Sequence, residues 1–123
     1  MAKKILIVED DTFLQSLAAA KLAKVGYDVA VASDATAADK ELEKATPDFI
    51  LLDLVLPGVD GYGILKKIRE NDKTKNTPVI IFSNLAEDKD IMKAKELGAT
   101  DFMIKSNFTL DELADKINSL IGI

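Results

Sequence analysis

The chain has 123 residues, 48% of them apolar and 30% charged, a size and composition that suit one soluble globular domain with a single core. It has no cysteine and no histidine, which excludes disulfides, thiolate catalysis, Cys- or His-ligated metals, a histidine general base and a phosphohistidine carried by this chain. Sixteen basic residues, all lysine except Arg69, are scattered among 21 acids for a net charge of −5, without the basic stripe or arginine forks of a nucleic-acid binder.

Apolar runs and helical patterns then alternate along the chain. Ile5-Leu6-Ile7-Val8 is an unbroken aliphatic run and reads as a strand. Residues 12–25 place Leu14, Leu17, Ala18, Leu22 and Val25 at helical spacing, with Gly26 as the C-cap. The stretch 27–32 alternates weakly, as an edge strand does. Ser33 or Asp34 caps a second helix of about 35–45, stopped by Thr46-Pro47. Phe49 to Leu52 is a third strand, and 60–71 a third helix with Ile64, Leu65 and Ile68 inward. Residues 78–82 form a fourth strand and 87–97 a fourth helix, ended by Gly98. Asp101 to Ile104 is the fifth strand. Thr109 and Glu112 form a capping box that opens a last helix with Leu113, Ile117 and Leu120 inward.

Five strand–helix repeats predict an α/β fold, a doubly wound parallel sheet in a single domain over 1–123; a barrel needs about 250 residues. Strands 1, 3 and 4 are apolar throughout, as parallel strands covered on both faces are. No apolar run nears the roughly 18–20 residues that span a bilayer. MAKKILIVEDD has too short an apolar stretch for a signal peptide, so the expected location is the cytoplasm, with no membrane partner.

Open parallel sheets bind ligands at the carboxyl ends of their strands. Here strand 1 ends in Glu9-Asp10-Asp11, strand 3 in Asp53, strand 4 in Ser83 and strand 5 in Lys105. Asp53 interrupts the apolar stretch PDFILLDLVLPG, where an isolated buried carboxylate is costly. Carboxylates meeting at one point repel unless a cation neutralises them, and oxygen ligands favour a hard one such as Mg²⁺. A lysine and a hydroxyl beside them suit a phosphoryl group, and one carboxylate is then a candidate nucleophile. The ordinary alternatives are a turn residue at Asp53, first-turn acids at Glu9 to Asp11, and plain core packing at Phe102.

The motifs V-E-D-D at 8–11, D-L-V-L-P-G at 53–58, F-S-N at 82–84 and F-M-I-K at 102–105 together resemble the receiver domain of two-component response regulators. The likeness covers the whole chain, in the family's order and spacing. It implies a flavodoxin-like sheet of strand order 2-1-3-4-5, with Asp53 as phosphoacceptor. It also implies that Asp10, Asp53 and the Val55 carbonyl bind Mg²⁺ while Glu9 acts through water. Lys105 would pair with the phosphoryl group, and Ser83 and Phe102 would be the switch residues. The implied partners are a histidine kinase or histidine phosphotransfer protein as donor. A downstream target protein would dock on the face of helix 4, strand 5 and helix 5.

Two departures stand out. Receivers usually carry proline after the lysine, whereas Ser106 stands here, and a trans Lys105–Ser106 bond is expected because a non-proline cis bond costs roughly 3–4 kcal/mol. Val55 and Leu85, two residues past Asp53 and Ser83, are apolar and cannot orient water, so a slowly hydrolysing phosphoaspartate is expected. The rival readings are a phosphate-independent receiver-like adaptor and a small aspartyl-phosphate phosphatase. The second needs an acid where Val55 stands.

Overall fold

The structure, a computed structural model, describes residues 2–56, 59–84 and 87–122, without the side chain of Val59. Its main elements are β1 (Lys4–Val8), α1 (Thr12–Val25), β2 (Asp28–Ala32), α2 (Ala35–Lys44), β3 (Phe49–Leu52), α3 (Gly61–Glu70), β4 (Val79–Ser83), α4 (Asp88–Glu96), β5 (Asp101–Ile104) and α5 (Leu110–Ile121). The five strands form one parallel sheet in the order β2-β1-β3-β4-β5, as the receiver resemblance implies.

Alternation along each strand divides the core in two. Ile5, Ile7, Phe49, Leu51, Ile80, Phe82 and Met103 face Ala18 and Leu22 of α1 and Leu113 and Ile117 of α5. Leu6, Val8, Ile50, Leu52, Val79 and Ile81 face Ala38 of α2, Ile64, Leu65 and Ile68 of α3, and Ala94 of α4. This explains why β1, β3 and β4 are apolar at every position: neither face meets water. Leu17, placed at helical spacing with the core-facing residues of the first helix, and Leu120, expected inward, lie outside these clusters. Leu17 is 44% exposed and Leu120 37%. Leu14, Ala18 and Leu22 recur four residues apart and follow one face, and Leu17 falls off its edge; Leu120 lies past Ile117 near the chain's end.

Local chemistry sets the element ends. Asp11 caps α1, its carboxylate accepting from the N–H groups of Phe13 and Leu14, and Gly26 closes the helix at φ 117°. Asp34, not Ser33, caps α2, its carboxylate accepting from the Ala37 N–H. The capping box of Thr109 and Glu112 forms as expected. Arg69, the only arginine in the sequence, ties three segments together: Nε donates to the Gly98 carbonyl at 2.8 Å, and Nη1 to those of Thr74 and Thr77 at 3.1 and 2.7 Å.

Two short elements have no counterpart in the sequence reading: an antiparallel hairpin pairing Val55–Leu56 with Val59–Asp60, and a 3-10 turn over Lys105–Asn107. Pro57, Gly58 and Leu85 lie outside the described residues. No peptide bond among the described residues is cis, so Lys105–Ser106 is trans. Among those residues, no helix is long and apolar enough to cross a membrane.

Candidate functional site

Strand register decides which side chains meet. Val8 pairs with Leu52 and with Ala32, so Glu9, Asp53 and Ser33 all follow the last paired residues of neighbouring strands. The backbone continues that order briefly. The Asp53 N–H donates to the Val8 carbonyl at 3.0 Å, and the Glu9 N–H to that of Ala32 at 2.9 Å. Ser83 pairs with Ile104, which sets Lys105 at the same edge. Four strand ends therefore converge.

At the centre, Lys105 bridges two buried carboxylates: its Nζ lies 2.7 Å from Asp53 Oδ2 and 2.5 Å from Glu9 Oε1. Asp53 Oδ1 accepts the Val55 N–H at 3.2 Å, and Glu9 Oε2 accepts the Asp11 N–H at 3.1 Å. Ser83 is buried and Asp10 exposed. Val55 turns its side chain to solvent. Phe102 is half-buried, packed against the core cluster beneath α2, α3 and α4 and open on its other side to a hollow shared with Phe108 and Lys116.

Lys105 was expected to pair with a phosphoryl group; here it holds Asp53 and Glu9 together. Burial alone disfavours its charge, but the hydrogen bonds it donates to Asp53 and Glu9 outweigh that and raise its pKa. Ser106 contributes what a proline cannot. Its backbone N–H donates to Asn84 Oδ1 at 3.1 Å, joining the loop after β5 to the loop after β4.

Burial pushes the Glu9 carboxyl up to about 7, and the nearby Asp53 charge adds to that, against the opposing hydrogen bonds of Lys105 and the Asp11 N–H. A raised folded-state value means that the contribution of Glu9 to stability is complete below its ordinary value of 4.5 and is lost as pH rises through about 7. Glu9→Gln, which keeps the shape of the protonated acid, is therefore expected to melt several degrees above wild type at pH 8 without divalent metal. That gap should shrink toward pH 5. Paired melting curves at the two pH values, with Asp10 and Asp53 unchanged, measure it; a gap independent of pH would contradict the assignment.

The acidic cluster could hold a metal ion. Glu9, Asp10 and Asp53 each bring one carboxylate oxygen within 4.8 Å of the others. An all-oxygen donor set, partly buried and with one acid pushed toward protonation, matches what a hard divalent cation relieves. The residues present fit such an ion.

One residue of this region escaped sequence reading. Gln15 on α1 is buried, and its Nε2 donates to the Glu9 carbonyl at 2.8 Å and to Ser33 Oγ at 3.3 Å. A lone glutamine within a helical pattern carries no signal of this.

Comparison with known proteins follows the same lines. The family model for the response regulator receiver domain matches residues 5–118. The DNA-binding dual master transcriptional regulator RpaA of Synechocystis sp. is 31% identical over 118 residues, 96% of this chain and 48% of that protein. The chain spans about half the length of the curated relatives it matches. Chemotaxis protein CheY4 of Vibrio cholerae superposes with a TM-score of 0.90 at 25% identity, covering 97% of this chain and 98% of that one. The Mn²⁺-bound form of response regulator Rcp1 gives a TM-score of 0.81 at 28% identity, covering 95% and 92%.

Proposed function

The chain belongs to the response regulator receiver family of two-component systems, and from that premise we propose that it accepts a phosphoryl group on Asp53 and thereby switches a protein partner. The observation that carries this reading is the buried Asp53 carboxylate held by Lys105 beside Glu9 and Asp10. As the family implies, the donor is a histidine kinase or histidine phosphotransfer protein, and the phosphohistidine lies on that partner, since this chain has no histidine of its own. A carboxylate oxygen of Asp53 attacks the donor's phosphorus. The P–O bond forms as the P–N bond breaks, and the electron pair returns to the donor's imidazole.

Asp10, Asp53 and the Val55 carbonyl would hold Mg²⁺, with Glu9 acting through water. When bound, the ion supplies charge neutralisation for the phosphoryl oxygens. Lys105 exchanges its contact with Asp53 for one with the phosphoryl group, and Ser83 donates a hydrogen bond to it. Phe102, half-buried, packs inward as Ser83 moves. The readout surface is the face of α4, β5 and α5, and the location is the cytoplasm. The transferred group stays on the chain, so this is a phosphoacceptor domain rather than an enzyme acting on other molecules. RpaA carries a DNA-binding function in its name, and the region matched here is about half of that protein. Direct nucleic-acid or membrane contact is not part of this domain's role.

The test is incubation with acetyl phosphate and Mg²⁺, followed by intact-mass measurement. One phosphate adduct is expected, absent when EDTA is added first. After removal of the donor the adduct should decay slowly, because the exposed Val55 side chain offers no polar group to orient water. Complete loss within a minute would overturn that last point. No adduct, with cation binding demonstrated separately, would replace the proposal with the phosphate-independent adaptor.

A further inference from the structure

We propose that Gln15 is a positioning residue for the cation site, holding the end of β1 so that the Glu9 and Asp10 carboxylates converge with Asp53. The inference rests on reading that cluster as a cation site. At Glu9 the chain leaves the sheet: its N–H still completes the ladder through the Ala32 carbonyl, but its carbonyl faces the turn into α1. A buried carbonyl needs a partner. Gln15 supplies it from one turn into the helix, at 2.8 Å.

The placement is consequential because Glu9 and Asp10 are adjacent and bracket that peptide plane. Rotation of the Glu9 carbonyl turns the Asp10 backbone with it, and so redirects the one exposed carboxylate of the cluster. Asp11, next along, is committed to capping α1. Gln15 is thus the side chain that fixes the turn from inside. Its second bond, 3.3 Å to Ser33 Oγ, ties the start of the β2–α2 connection to the same point. Ser33 follows the last residue of the edge strand β2, and through Gln15 that strand end bears on the site. The surroundings favour a clean test. Ile7, Leu14, Ala18 and Phe82 share the lining of the small space beside Gln15 with Glu9 and Asp53, so an apolar side chain of equal length meets mostly apolar neighbours.

Mn²⁺ binding followed by electron paramagnetic resonance serves as the probe, on the full chain. Gln15→Met keeps the length and removes the donor. It is expected to bind Mn²⁺ about 10-fold to 100-fold more weakly, the usual effect of removing a group that orients a metal ligand. Its circular dichroism should match wild type, and its melting temperature in EDTA should fall by only a few degrees as the Glu9 carbonyl loses its donor. The variant thus stays folded where Mn²⁺ binding is read, and lost positioning is separated from lost fold. Gln15→Asn, one methylene short of the Glu9 carbonyl, should behave likewise. Ser33→Ala, which leaves the shorter bond intact, should lose far less affinity than the roughly 10-fold expected of the Gln15 variants. Wild-type affinity in either folded Gln15 variant overturns the proposal. Absence of Mn²⁺ binding to wild type itself overturns the cation site, and the role of Gln15 with it; weakening confined to the Gln15 variants upholds both.

Discussion

Asp53→Asn is expected to abolish phosphate incorporation from acetyl phosphate, leaving a folded protein whose mass does not change with donor or Mg²⁺. The amide matches the carboxylate in shape, so the core around Leu51, Leu52 and Leu54 keeps its packing, but the proposed nucleophile is gone and the step should be removed rather than slowed. Lys105→Met separates this from a general electrostatic effect. It releases Asp53 and Glu9 from their shared cation, yet leaves the attacking oxygen, so an adduct should still form at a reduced rate. Peptide mapping of the wild-type adduct should place it on the peptide that carries Asp53, just past β3. Incorporation into Asp53→Asn at the wild-type level would move the acceptor to another carboxylate, with the exposed Asp10 the first to examine.

The sheet was readable in advance because parallel strands buried on both faces leave a strong mark: IleLeuIleVal at 5–8 and PheIleLeuLeu at 49–52 have no polar position to conceal. Once the strands are known, parallel register does the rest. Val8 beside Leu52 and Ser83 beside Ile104 oblige Glu9, Asp53, Ser83 and Lys105 to share one edge. Sequence cannot carry what depends on side-chain reach. Lys105 spans two carboxylates at once, Gln15 turns inward to a backbone carbonyl, and Asn84 reaches the Ser106 N–H; each is a long or local contact between segments whose spacing says nothing of it. The misjudged leucines, Leu17 and Leu120, have a different cause. Helical periodicity marks a stripe about 100° wide but not where its margin meets solvent.

Gly61→Ala is expected to be the most damaging single-methyl change near the site. A Cβ there would lie 2.4 Å from the Asp53 carbonyl oxygen, 2.6 Å from the Leu54 Cα and 3.1 Å from the Asp53 carbonyl carbon, all backbone atoms with no rotamer to yield. The close approach is built in, since the Gly61 N–H donates to the Leu54 carbonyl at 2.7 Å and so docks the start of α3 on the segment that leaves β3. Relief requires shifting either α3 or the backbone of Asp53 itself. Overpacking of this kind costs about 1–3 kcal/mol and should lower the melting temperature by roughly 5–10 °C. A displaced nucleophile also reacts poorly, and a misplacement near 1 Å is worth about 10²-fold in rate. Gly63→Ala, two residues on, is the matched control. Its Cβ would meet nothing closer than Asp60 Oδ1 at 3.9 Å, so the substitution should cost nothing in packing. Replacing glycine within a helix should instead stabilise by about 0.5–1 kcal/mol. Melting curves and phosphorylation rates for the pair should therefore move in opposite directions in stability, with only Gly61→Ala slow to react. Equal behaviour of the two variants would mean that α3 slides freely on the β3 segment, and that the position of Asp53 does not depend on the helix packed against it.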